Sequence, residues 1–292
     1  MVPFVAHAGQ PLAPHDLWSA WSFEPTVVMG ILVGGWLYAR GFRWLRGGEA
    51  GRRAIPAWRA TCFFAALVTI GLAVLSPLDA LGETLFGAHM FQHMLLAFGA
   101  APLLVLGRPL LVTSLGLPPA VRRRLWAVRL AVTPSHRGAI GWAVFAVLAH
   151  TVTFWAWHLP GLYQAALRSH PLHVVEHTTL LAGSLALWWL VADARGRHAN
   201  AAGVFALFVG MLQSSVLAAL LTFGSIPWYA EHAAGAGAWG LSPLDDQQLA
   251  GGLMWFPGGL VYIVGGAVLF ARWLREDERV ASYAQWMARG GV

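Results

Sequence analysis

This sequence predicts an all-α, polytopic membrane protein, a bundle of seven transmembrane helices, and three observations carry that reading. Of its 292 residues, 58% are hydrophobic and only 11% are charged, with a mean hydropathy of +0.59, whereas soluble domains carry roughly 25% charged residues. Several apolar stretches have the ~20 residues that an α-helix needs to cross a bilayer. Finally, the arginines are segregated between alternate loops. The segments 40–59, 107–137, 193–200 and 271–292 hold 18 of the 19 arginines, and the segments 1–25, 76–83, 158–171 and 224–247 hold only Arg168.

Taken in order, the spans are predicted at Thr26–Leu45, Trp58–Leu75, Thr84–Leu106, Gly138–Trp157, Leu172–Ala192, Ala201–Phe223 and Gln248–Ala271. Basic loops stay cytoplasmic, so the amino terminus is expected outside and the carboxyl terminus inside. The domain layout that follows is an extracytoplasmic segment 1–25, a transmembrane domain 26–271 and a cytoplasmic tail 272–292. Within that tail, Leu274–Arg289 has the mixed charge and spaced apolar residues of a helix lying along the inner surface. Trp155, Trp157, Trp188, Trp189, Trp228 and Trp273 fall near span ends, as an interfacial belt would. The first 24 residues lack the charged start and apolar core of a signal peptide.

Composition also narrows the chemistry. All basic residues are arginine, and their placement assigns them to topology and lipid headgroups rather than to nucleic acid. Cys62 is the single cysteine, so neither a disulfide nor a thiolate cluster is available. No phosphate loop, dinucleotide fingerprint or nucleophile elbow is present. Pro102 and Pro257 are expected to kink the third and seventh spans.

The histidines are the informative residues. His89-Met90-Phe91-Gln92-His93 and His173-Val174-Val175-Glu176-His177 each place two imidazoles four residues apart, one above the other on a single helical face. Both pairs fall at the outer ends of their spans, and ten of the twelve histidines lie in the outer half, opposite the arginines. Groups of this kind are costly in hydrocarbon and normally face the bundle interior for a purpose. His89, His93, His173 and His177 are therefore the expected metal ligands. His158, in Trp157-His158-Leu159-Pro160, and Asp246, at the start of the seventh span, come next. Met90 and Met254 are possible soft ligands, and Glu176 is a partner that orients an imidazole. A lone buried histidine is more often a hydrogen-bonded packing residue; that is the bland reading of His150, a further candidate, and of His232. A methionine in an apolar span is usually filler, and Asp246 is also suited to capping a helix.

Imidazole suits Zn, Cu, Fe and Ni, and thioether favours Cu(I). A site with His, Met and no Cys at the outer surface fits copper best, with zinc or haem iron as alternatives. Ligating histidines must be neutral, so affinity is expected to fall below about pH 6.5. His173, Glu176 and His177 also match H-x-x-E-H, a zinc hydrolase signature in which the Glu is the base, but the match is short and nothing marks a substrate pocket.

His89 to Leu96 followed by Ala101 to Pro109 resembles the signature of CtaG-like cytochrome c oxidase assembly factors of the caa(3) type. Ser76-Pro77-Leu78-Asp79, Trp157 to Pro160, Leu172 to His177 and Asp246 to Trp255 match in the same order, so the resemblance covers about residues 15–275. It implies a bacterial plasma-membrane protein that helps assemble the oxidase, with the oxidase subunits and an extracytoplasmic copper donor as partners.

Overall fold

The computed structural model describes residues 12–124, 139–194 and 196–288. His7, His136, Gly138, Arg129, Arg137, Arg195 and Arg289 lie outside them. Among the described residues the regular structure is helical: α1 Pro25–Arg46, α2 Glu49–Ala54, α3 Ala57–Val74, α4 Pro77–Thr84, α5 Phe86–Gly107, α6 Pro109–Gly116, α7 Ala139–Trp157, α8 Pro160–Arg168, α9 His170–Asp193, α10 Arg197–Phe223, α11 Ala233–Ala238 and α12 Pro243–Ala288.

Among the described residues, six helices are long and apolar enough to cross a membrane: α3, α5, α7, α9, α10 and α12. Each coincides within a few residues with an expected span, apart from the extensions of α12. The remaining expected span, Thr26–Leu45, forms the 22-residue helix α1 but is not among the six. Its glycines, Trp36, Tyr38 and Arg40 dilute the apolar residues. On α10, Phe205, Phe208, Leu212, Val216 and Leu220 recur every three or four residues and are exposed. An outward apolar stripe of this kind is what lipid covers.

Helix boundaries follow local chemistry. The Glu24 carboxylate accepts from Val27 N at 3.0 Å and Pro25 supplies the first-turn φ of α1. Ser76 caps α4 in the same way, with Pro77 next. The last helix does not stop at Ala271; it continues to Ala288 as one 46-residue helix with Pro257 inside it. The segment expected along the inner surface is, as far as Ala288, an extension of α12.

α5 is the axis. It buries 61% of its most apolar window, against 17–39% for the other candidate spans, and it packs against α3, α4, α9 and α12. Its central turn, Leu95–Ala100, is a π-helix that runs directly into Pro102. In a π register the Ala97 carbonyl would take its hydrogen bond from residue 102, which has no N–H. The Trp188 indole donates to that carbonyl instead, at 2.9 Å. Trp188 is thus buried between helices rather than in an interfacial belt, as is Trp157, whose indole donates to Thr179 Oγ1 at 2.8 Å. Both tryptophans were legible as helix-end residues only; a buried indole goes where its N–H finds an acceptor.

A second core at the arginine-rich end joins α1, α3 and α6 through Tyr38, Ile55, Phe63 and Val112. The Tyr38 ring stacks on Phe63 at 3.9 Å between centroids and its hydroxyl donates to the Gly107 carbonyl at 2.9 Å. α1 and α6 meet at Gly41, where a Cβ would fall 1.9 Å from the Val112 carbonyl oxygen. Gly41→Ala should therefore destabilise the protein by about 1–3 kcal/mol. Gly30→Ala on the same helix, where a Cβ meets nothing within 4 Å, should be neutral or slightly stabilising. Thermal unfolding of both variants in detergent checks this, and equal melting temperatures would contradict the contact.

Candidate metal centre

The site is built on the first turns of α5 and α9. α5 begins without a side-chain cap of its own. Asp246, on the first turn of α12, supplies one: its two carboxylate oxygens accept from Phe86 N at 2.7 Å and Gly87 N at 2.9 Å. This satisfies two of the free N–H groups of the helix start and pins α5 to α12. A second constraint comes from Gln92, whose amide donates to the Ala73 carbonyl at 2.8 Å and to Asp79 Oδ1 at 2.7 Å. Gly82 lets α4 close on the same face, where a Cβ would lie 3.3 Å from His89 Cα. Cap, glutamine and glycine together fix the rotation of α5, and with it the direction of His89 and His93.

The two i,i+4 pairs meet. Ring centroids are 4.3 Å apart within each pair, and across the helices His89 lies 5.4 Å from His173 and 5.6 Å from His177, while His93 lies 5.1 Å from His177. Glu176 enters the same space. Its Oε1 is 3.5 Å from His89 Nε2 and 3.6 Å from His93 Nε2, and both His89 and Glu176 are fully buried. Ligand atoms of His89, His173 and His177 all lie within 4.8 Å of one another, and so do those of His89, His93 and Glu176.

Eight polar atoms of this cluster are buried without a hydrogen-bond partner: both ring nitrogens of His89 and of His93, Nε2 of His173 and of His177, and both oxygens of Glu176. Burying an unpartnered polar group costs a few kcal/mol, and an unpaired carboxylate costs more. Four imidazoles and a carboxylate at these separations could hold a transition-metal ion. Around a tetrahedral ion with ~2.0 Å metal–nitrogen bonds, neighbouring ligand atoms stand ~3.3 Å apart, within reach of small side-chain shifts.

The other candidates divide. His158 lies beside the cluster, its ring 6.3 Å from that of His93, with Nδ1 at 2.6 Å from the Phe154 carbonyl and Nε2 at 3.1 Å from Met90 Sδ. Met254 borders the same small cavity as Met90 and His93. His150 lies apart, with Nε2 at 2.7 Å from the Tyr262 hydroxyl, as a packing histidine would. Asp246 has both oxygens engaged in capping α5, a different helix from the one it begins. Glu176, expected to orient an imidazole from outside, sits among the rings.

Sequence reasoning did not single out the aromatic layer over this cluster. Tyr163 on α8 packs against His89 at 5.0 Å and its hydroxyl lies 2.7 Å from His232 Nε2. Burial holds the Tyr163 phenol well above its usual range and pushes His232 down to about 4, so His232 is neutral at pH 7 and accepts from the phenol. Tyr229 donates to the His158 carbonyl at 2.8 Å and packs on Phe86 at 4.3 Å. Arg168 pairs with Glu231, tying α8 to the turn that carries His232. The available signal was the rarity of tyrosine, five in the chain. A buried phenol in an apolar protein needs a partner.

Asp79, outside the membrane-spanning helices, has its carboxyl pushed up to about 6 by burial, against the lowering effect of the Gln92 hydrogen bond and with Glu83 adding to the rise. A raised carboxyl stabilises the fold fully below its unfolded value of 3.8 and loses that contribution as pH rises through about 6. Asp79→Asn keeps an acceptor for Gln92. Its stability should therefore stay flat over this window while the native protein declines. Unfolding in detergent between pH 4 and 7 measures it, and parallel curves would contradict the assignment.

A profile of the family described as cytochrome c oxidase caa3 assembly factor (Caa3_CtaG) matches residues 36–276. Uncharacterized proteins of Mycobacterium bovis and Mycobacterium tuberculosis are each 29% identical over 288 residues, covering 94% of this chain and 42% of theirs. One of Mycobacterium leprae is 26% identical over 291 residues, covering 90% and 41%. The chain thus spans less than half the length of the curated relatives it matches. No solved structure matches it.

Proposed function

This chain belongs to the cytochrome c oxidase caa3 assembly factors, and from that premise we propose that it binds copper on the His89, His93, His173, His177 and Glu176 cluster and aids its delivery to the oxidase. One observation carries the reading: eight nitrogen and oxygen atoms of the cluster are buried with no hydrogen-bond partner, and each of its five residues has a ligand atom within 4.8 Å of those of two others. A bound cation would offset the desolvation that this arrangement otherwise leaves uncompensated. Neutral imidazoles and one carboxylate suit a divalent first-row ion. The family's role in oxidase assembly favours copper among those ions, ahead of zinc or haem iron. The role is that of a metal-binding chaperone rather than an enzyme.

In the proposed topology α1 is the first of seven spans in a bacterial plasma membrane. The amino terminus lies outside, the carboxyl terminus is cytoplasmic, and the cluster sits in the outer-leaflet half, opposite the arginines. The domain layout stays 1–25, 26–271 and 272–292, with α12 extending past the last boundary. Copper then arrives from an extracytoplasmic donor and passes to oxidase subunits. The hydrolase reading of His173, Glu176 and His177 has less support. Glu176 directs its carboxylate into the cluster, where it acts as a donor and not as a base beside an open, water-bearing position. A metal-free scaffold would leave the eight atoms unsatisfied.

Metal analysis of purified protein tests the proposal. The native chain should carry copper in stoichiometric amount. His89→Ala with His93→Ala should lose it together with support of oxidase assembly, and Glu176→Gln should bind about 10–100-fold more weakly. His150→Gln, at a histidine that pairs with Tyr262 away from the cluster, should keep the metal. Unchanged copper and full oxidase assembly in the double variant would refute the proposal.

A further inference from the structure

Beside the imidazole–carboxylate cluster lies a small cavity of about 10 Å³, bordered by Met90, His93, Met94, Phe154, His158 and Met254. One contact in it is chemically odd. His158 Nδ1 is 2.6 Å from the Phe154 carbonyl, which can only accept, so Nδ1 carries the ring proton and Nε2 of the neutral imidazole presents a lone pair. That lone pair faces Met90 Sδ at 3.1 Å, and a thioether has no proton to return. Two electron-pair donors confront each other where His158 is 3% exposed and Met90 is 1% exposed.

No neutral arrangement of the protein alone resolves this. Protonating His158 fully would place a cation among apolar side chains. A water needs two to four polar partners, and the cavity is at the lower limit of what one occupies; the rest of the lining is thioether and hydrocarbon. Methionine as mere filler accounts for the volume but not for a bare imidazole nitrogen directed at sulfur. Two further methionines border the same space. Met254 is buried, and Met94 is accommodated by Gly258, where a Cβ would lie 2.9 Å from Met94 Cε.

We propose that His158, Met90 and Met254 form a second subsite, for a soft monovalent cation such as Cu(I), with Met94 at its edge. Imidazole with thioether selects such an ion, which needs neither a carboxylate nor retained water. With bonds of about 2.0 Å to nitrogen and 2.3 Å to sulfur, the two donors stand about 3.5 Å apart at a tetrahedral angle. That is slightly wider than their present separation and within the freedom of the methionine side chain. His93 borders both this cavity and the cluster, so the two sites adjoin. The subsite rests on its own contact and does not require the cluster to hold a metal.

The test titrates full-length protein in detergent with Cu(I) and with Ag(I) against a competing chelator, and reads the bound ion by X-ray absorption. Native protein should show sulfur neighbours around the soft ion. Met90→Leu with Met254→Leu, volume-conserving changes that leave the core packed, should lose that sulfur shell. The same variant should weaken Cu(I) binding at least tenfold while its capacity for Co(II) or Zn(II) at the cluster stays as in the native protein. A nitrogen- and oxygen-only shell in the native protein would overturn the proposal, as would native-like Cu(I) affinity in the double variant. Loss of Co(II) or Zn(II) binding in the same variant would also overturn it, since the methionines would then belong to the cluster itself rather than to a separate subsite.

Discussion

The cost of removing imidazole and carboxylate groups from water governs this molecule. His89 and Glu176 are fully buried, and His93 and His173 nearly so, yet ring nitrogens and carboxylate oxygens among them have no hydrogen-bond partner, and ligand atoms of the cluster lie within 4.8 Å of one another in groups of three. A helix bundle in lipid has every means to avoid this, since leucine would fill the same volume at no desolvation cost. The arrangement is compatible with a stable fold if something with positive charge completes it. Spans, caps and aromatic layer all serve to bring α5 and α9 together at that point.

The scaffold holds the rings from three sides. Asp246 ties the start of α5 to α12, Gln92 ties its second turn to α3 and α4, and Trp188 ties its π-helical turn to α9. A donor set fixed in this way loses little side-chain freedom on binding. The aromatic layer of Phe86, Tyr163 and Tyr229 lies against one side of the cluster, with each phenol hydroxyl occupied by a neighbour of the site. The thioether cavity lies against another side, at His93 and His158.

Much of this was legible in the sequence, for definite reasons. Apolar length marked the six helices that can span, and i,i+4 spacing put each histidine pair on one face. Glu176 falls three residues after His173 and one before His177, so its place on the ring-bearing face was implied by helical geometry even though its position among the rings was not. What stayed hidden depends on contacts distant in the chain. Asp246 reads as a residue at the start of its own helix, and only the fold places it under Phe86, 160 residues away. Trp157 and Trp188 read as interfacial until their indole acceptors are known. Next to Pro102 the helix takes a π turn, and the carbonyl that this register leaves without a donor is met by Trp188 of another helix. α1 is a long helix, but its glycine and arginine content leaves its membrane passage to be argued from charge rather than hydropathy.

The central question for this molecule is whether the four rings share an ion. Crystals or frozen particles of metal-loaded protein, with anomalous scattering collected across the copper edge, address that directly. A strong peak is expected within about 2.0–2.3 Å of ring nitrogens from both α5 and α9 and close to the Glu176 carboxylate. Electron density with the rings splayed apart and hydrogen-bonded to water, and no anomalous signal between the two helices, would contradict it.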